Sequence, residues 1–151
     1  MYKIARVRLL PELAQLIFLE NVAYNYTKQL IQISRHYEEK VEANYYVAQI
    51  KNVPFNSKYA LINAARKNGN RIIASDNVVQ YCQWSSRNCY LTLYDKTISL
   101  QKYSQFSYTC IHFKANRYQL ELLEKGRVCS VKIFCLDNDW YADIFLQFIE
   151  T

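Results

Sequence analysis

The sequence predicts an α+β chain: an antiparallel, β-barrel-like domain whose first strand is followed by a helical insertion. Three observations carry this. The apolar residues recur with period two at the start, with helical period from Glu12, and with period two again after Tyr94. The two β-like parts are therefore separated in sequence but complementary, since a lone opening strand needs a sheet that only the C-terminal part supplies. At 151 residues, with only two glycines and two prolines, the chain has the length of one domain and buries roughly 70% of its unfolded surface. The expected division is residues 1–10 as the first strand of the β-domain, 11–94 as the helical insertion and 95–151 as the remaining strands.

The first element, "MYKIARVRLL", alternates between Tyr2, Ile4, Arg6 and Arg8 on one side and Ala5, Val7 and Leu9 on the other, which makes a strand with one basic side. Pro11 ends it and sits in the first turn of the next helix, where its missing N–H costs nothing. That helix follows Leu13, Leu16, Ile17, Ala23, Tyr24, Thr27, Leu30 and Ile31 to about Glu39. "VEANYYVAQIKNVPF" reads as a helix or as a loop ending at Pro54. "NSKYALINAARKNGN" reads as a short helix opened by Asn56 or Ser57 and closed by Asn68 and Gly69.

"SDNVVQYCQWSSRNCYLTL" places Val78, Cys82, Ser85, Cys89 and Leu93 along one face and is expected to be a third helix. "TISLQ", "FSYTCIHFK", "QLELLEK", "VCSVKIFCL" and "WYADIFLQFIE" read as strands. The last two are joined by "DNDW", whose Asp and Asn tolerate tight-turn dihedrals.

The net charge of +6 is uneven. Between Lys51 and Arg117 ten basic residues face two acidic ones, Asp76 and Asp95. A polyanion is the matching partner, because Lys and Arg that neutralise phosphates release condensed counterions; a solvated cationic face is the simpler alternative. Five cysteines with no C-x-x-C pair, and no apolar leader at the N-terminus, fit a reducing cytoplasm. Cys82 and Cys89 would share a helical face and Cys129 and Cys135 lie in strand-like runs, so all four read as core. No stretch approaches the roughly 20 apolar residues of a membrane span. Too few glycines remain for a phosphate loop, no zinc-ligand spacing occurs, and no cofactor is expected.

Cleavage chemistry needs clustered carboxylates around metal ions. Glu38, Glu39 and Glu42 read instead as a solvated helix end. Asp137 and Asp139 read as a hairpin turn indifferent to binding, and His36 and His112 lack a nucleophile beside them. No enzymatic activity is expected. The binding candidates are basic residues interleaved with tyrosines: Lys3, Arg6 and Arg8 with Tyr2; Lys58, Arg66, Lys67 and Arg71 with Tyr59; Lys114, Arg117, Lys125 and Arg127 with Tyr118. Arginine and lysine would meet phosphates and 2′-hydroxyls, and exposed tyrosines could stack on unpaired bases.

Four segments resemble the N-terminal half of the TnpB proteins of insertion sequences and their relatives, the type V CRISPR effectors. "ARVRLLPELAQLIFLENVAYNYTKQL" is similar to the family's opening strand, R-x-x-P turn and helix, with Tyr24 and Asn25 as its Tyr-Asn pair. "SDNVVQYCQWSSRNCYLTL" resembles a recognition-lobe helix, and "TISLQKYSQFSYTCIHFK" lies where the family has a strand. "GRVCSVKIFCLDNDWYADIFLQFIE" resembles the family's hairpin, after which relatives begin the RuvC-like nuclease. The resemblance implies a wedge domain with a recognition insertion and no nuclease. It further implies binding of a structured guide RNA, with flanking duplex DNA as a possible second ligand, alone or with a nuclease subunit in trans. A protein-interaction module using a Tyr-rich surface, as an inhibitor or assembly factor, is the alternative.

Overall fold

The computed structural model describes residues 1–36, 40–66 and 79–149. The expected α+β class is found. Strands β1 (Tyr2–Leu10), β2 (Tyr81–Ser85), β3 (Cys89–Thr92), β4 (Thr97–Gln101), β5 (Tyr108–Lys114), β6 (Arg127–Leu136) and β7 (Asp139–Gln147) form one antiparallel sheet. Their order is β2-β6-β7-β1-β5-β4-β3. β1 therefore lies in the middle, paired along its length with β7 and at its end with β5. The opening strand does depend on the sheet that follows the insertion.

β2 and β3 occupy opposite edges of the sheet, yet only residues 86–88 separate them in the chain. The four chain steps from Ser85 to Cys89 span at most about 14 Å, so the sheet must curl until its edges meet at one corner. The connection is bonded on both sides: Ser86 N donates to the Cys129 carbonyl of β6, and Asn88 O accepts from Gln101 N of β4. The result is a half-barrel. Its inner side carries Ala5, Val7, Leu9, Ile98, Leu100, Ile111, Val131, Ile133, Ala142, Ile144 and Leu146, all buried.

Helix α1 (Leu13–His36) packs against β2 and β6. Thr27 Oγ1 donates to the Tyr81 carbonyl and accepts from the Tyr81 N–H, which satisfies backbone groups on the edge of β2. Helix α2 (Lys40–Ala48) follows, then a 3₁₀ turn over Ser57–Ala60 that leads into helical residues 61–66, here α3. Asn56 precedes that turn but its side chain makes no cap bond. The closing residues Asn68 and Gly69 and the end of the first helix at Glu39 lie outside the described residues. Buried Asn88, Ser57 and Gln101 tie the insertion to the sheet through Asn88 Nδ2, which donates to Ser57 Oγ and Gln101 Oε1.

Two expectations are corrected. The helix expected over "SDNVVQYCQWSSRNCYLTL" is, from Tyr81 onward, β2, a turn and β3. Cys82 and Trp84 point inward while Gln83 and Ser85 point outward, a period of two that the seven-residue spacing of Cys82 and Cys89 disguised. The expected insertion 11–94 thus contains both edge strands. The second correction concerns "QLELLEK", expected as a strand, which lies in helix α4 (Arg117–Lys125). Asn116 and Gln119 form a capping box, with Asn116 Oδ1 accepting from Gln119 N and Gln119 Oε1 from Asn116 N. Gly126 follows the helix, where a Cβ would come to 3.0 Å from the side chains of Leu146 and Phe148, so a larger residue requires those neighbours to give by a few tenths of an ångström.

"DNDW" does form the tight turn. Leu136 pairs with Asp139, and Asp137 and Asn138 take positive φ of 52° and 69°, the geometry that suits the strand twist of a two-residue hairpin.

Candidate nucleic-acid interface

The outer face of the sheet arranges its polar residues by register. One row sets Gln83, Lys132, Asp143 and Arg6 side by side; the next sets Tyr81, Phe134, Tyr141, Arg8 and Lys114. Where these rows reach β1 and β5 they open into a shallow groove of about 710 Å³, lined by Arg6, Arg8, Lys96, Lys114, Asn116, Gln119 and Tyr141 among others. Four cations share its walls.

They differ in what they already hold. Arg6 is bound in two-point fashion to Asp143, with Nε 2.7 Å from Oδ1 and Nη2 3.0 Å from Oδ2, and its guanidinium lies over the Phe134 ring at 4.9 Å. The hydrogen bond to Asp143 raises the Arg6 pKa beyond its usual value. Arg8 reaches Asp139 Oδ1 at 2.9 Å, but both side chains of this pair stand about half in solvent. Lys114 is exposed, and neither its ammonium nor that of Lys96 is bonded to any acceptor among the described residues. Lys96 is placed by its backbone. It adopts φ of 52° at the end of the β3–β4 turn, and its carbonyl accepts from Phe113 N beside Lys114.

The remaining expected binding residues separate into four groups. Arg117 adjoins the groove, next to Asn116, with a side chain 94% exposed and a loose 3.5 Å contact to Glu121. Lys3, Arg66, Lys125 and Arg127 are exposed but stand elsewhere. Lys3 lies over the Phe148 ring, and Arg127 donates to Gln147 beside Tyr2, about 20 Å along β1 from Arg8. Lys67 and Arg71 lie outside the described residues.

Lys58 is a correction. It is only 7% exposed, and its ammonium donates to the carbonyls of Ala48 and Ile50 at 3.3 and 3.2 Å while lying against the rings of Phe55 and Tyr59. It satisfies carbonyls left over at the end of α2 and is not a surface cation. Lys96 and Lys132 line cavities on this face and were not among the expected binding residues. The signal for Lys96 was the "LYDK" turn between two threonines that pair, Thr92 and Thr97.

The other candidates also resolve. Asp139 is no bystander, since it holds Arg8. Glu42 is exposed on α2, His112 is exposed on β5, and Glu38 and Glu39 lie outside the described residues. Cys82 and Cys89 are buried, though on separate strands, while Cys129 and Cys135 are only partly covered and Cys110 is exposed. Burial pushes the Cys89 thiol up to about 12 and the Cys82 thiol well above its usual range, so neither is a thiolate nucleophile near neutrality. Among the described residues no group of three or more His, Cys, Asp or Glu is placed to hold a metal ion, and no helix is long and apolar enough to cross a membrane.

Fold and groove together describe a small α+β chain with a curled antiparallel sheet and a cationic outer groove. No protein-family model matches the chain, and no curated protein matches it.

Proposed function

We propose that the chain is a nucleic-acid-binding module that grips the sugar–phosphate backbone of a structured RNA without cutting it. The observation that carries this reading is the groove in which Arg8, Lys96 and Lys114 face one opening, two of them with no acceptor among the described residues. Cations without partners gain most from a phosphate, because nothing must be released from the protein side to bind it. Asp143 and Asp139 hold the two arginines of the groove, Arg6 and Arg8, an arrangement that orders their guanidinium groups. The likeness to the TnpB wedge would make the RNA a guide scaffold, with flanking duplex DNA as its companion and a nuclease acting in trans. A cytoplasmic setting suits the five free thiols.

The test is a salt titration of binding to a hairpin RNA and to a duplex DNA. With Lys96, Lys114 and Arg117 as contacts, log K falls with log salt by about 0.7 to 0.9 per phosphate, a slope of about two to three. Lys96→Ala and Lys114→Ala each lower that slope by nearly one and leave thermal unfolding unchanged. Affinities no tighter than about 10⁻⁴ M for both ligands at physiological salt would end this reading.

A protein-interaction module is the second reading, favoured by Leu13, Ile17 and Tyr24, which leave one face of α1 exposed. Native mass of the purified chain separates the two. A stable complex with another protein that survives nuclease treatment supports the second, and release of bound nucleic acid supports the first.

A further inference from the structure

A second cavity, of about 350 Å³, lies between α3 and the outer face of β2, β6 and β7. Its volume is at the small end of ligand pockets, which admits a single planar group and excludes a helix of any kind. Three kinds of side chain line it. Phe145 offers a half-buried ring. Among the described residues, Asn63 and Gln83 offer amides that make no hydrogen bond, and Lys132 brings an ammonium that rests 4.3 Å from the Tyr81 ring and forms no ion pair.

A ring to stack on, amides to read a donor–acceptor edge and a cation for a phosphate are together the recognition set of one unpaired nucleotide. The pocket and the groove share no lining residue but are linked by one row of the sheet's outer face. Lys132 stands in register beside Asp143, and Asp143 beside Arg6, so the pocket is two strand spacings, about 10 Å, from the groove wall. Asp143, the acid between them, is neutralised by Arg6.

We infer that this pocket receives an unpaired base of the same nucleic-acid strand whose phosphates lie in the groove, with Phe145 stacking, Asn63 and Gln83 reading the base edge and Lys132 meeting its phosphate. The inference rests on the nucleic-acid reading and adds to it a selectivity for single-stranded nucleotides flanking a paired region. A blunt duplex satisfies the groove alone.

The experiment compares a blunt hairpin RNA with the same hairpin carrying a short single-stranded tail, by fluorescence anisotropy on the full chain. The tail strengthens binding about tenfold or more, the scale of one base–aromatic stack. The double substitution Asn63→Ala with Gln83→Ala removes that advantage and leaves the blunt hairpin unchanged; Phe145→Leu acts alike with the apolar volume kept. Lys114→Ala weakens both ligands. A 4-thiouridine in the tail cross-links to the peptide bearing Phe145.

A tail that gives no advantage, or one that survives the double substitution, overturns the pocket and leaves the groove standing. Uridine monophosphate that occupies the pocket without competing with the tail overturns it too, since the pocket then serves a free nucleotide. Blunt-hairpin affinity insensitive to Lys96→Ala and Lys114→Ala overturns the groove reading instead.

Discussion

Lys58 and Lys114 lie in the same basic stretch of sequence and end in opposite states. Lys58 is enclosed by two carbonyls and two aromatic rings; Lys114 stands on the outer face of β5 with no acceptor among the described residues. Arg6 and Arg8 repeat the contrast two residues apart, one chelating a buried carboxylate and the other loosely paired in solvent. The difference teaches that net charge overstates what a partner can use. A cation with acceptors already in place must give them up before it meets a phosphate, and the free energy of binding falls by what is lost.

The largest effect expected from this contrast is at Lys58. Lys58→Ala removes both hydrogen bonds to the end of α2 and leaves a void between Phe55 and Tyr59, a loss of about 2–3 kcal/mol. Thermal denaturation should move down by on the order of 5–10 °C, while the salt slope of RNA binding stays as in the parent chain. An unaltered melting temperature with a reduced slope would break the comparison, because Lys58 would then be behaving as a surface cation.

Arg6 should come next. Asp143 is 8% exposed and its two oxygens are satisfied by the Arg6 guanidinium. Arg6→Ala leaves that carboxylate covered and unpartnered, at a cost of about 1–3 kcal/mol. The double change with Asp143→Ala recovers part of it, and a double-mutant cycle in urea measures the coupling. Additive losses would show that the pair is incidental and that Arg6 is as available as Arg8.

The sequence made the sheet legible wherever alternation ran unbroken. β1 alternates cleanly from Ala5 to Leu10, β6 and β7 keep the period of two over most of their length despite an irregularity between Val128 and Ser130, and Asp137-Asn138 suited a tight turn. β2 was hidden because Tyr81 is buried at the sheet edge together with Cys82 and Trp84, which erases the polar half of the pattern. α4 was hidden by its shortness, although Asn116 and Gln119 carried a capping signature.

For the site, Arg6, Arg8 and Lys114 were legible as basic residues on strands. Their meeting was not, because β1 and β5 are about a hundred residues apart and only register places Arg8 beside Lys114. Lys58 looked identical to them in sequence. Nothing local announces that a lysine will turn inward to meet the carbonyls ten and eight residues before it.

The smallest effect sharpens the comparison most, because it runs in the opposite direction. Asp139 accepts from Arg8 at 2.9 Å in a pair whose side chains are 41% and 50% exposed, and such pairs contribute between nothing and about 1 kcal/mol to stability. Asp139→Asn should therefore leave unfolding within about 0.5 kcal/mol of the parent chain. It also removes a negative charge from the rim of the groove and frees the Arg8 guanidinium to meet a phosphate. Affinity for a hairpin RNA should rise a few-fold at low salt, and the salt slope should steepen by about 0.7 to 0.9 as one more counterion is released. The same change at Asp137, which holds no arginine, should strengthen binding less and leave the slope alone. A weaker complex in Asp139→Asn would mean that Asp139 aims Arg8 at the phosphate, and Arg8 would then belong with Arg6 among the cations whose position depends on an acid.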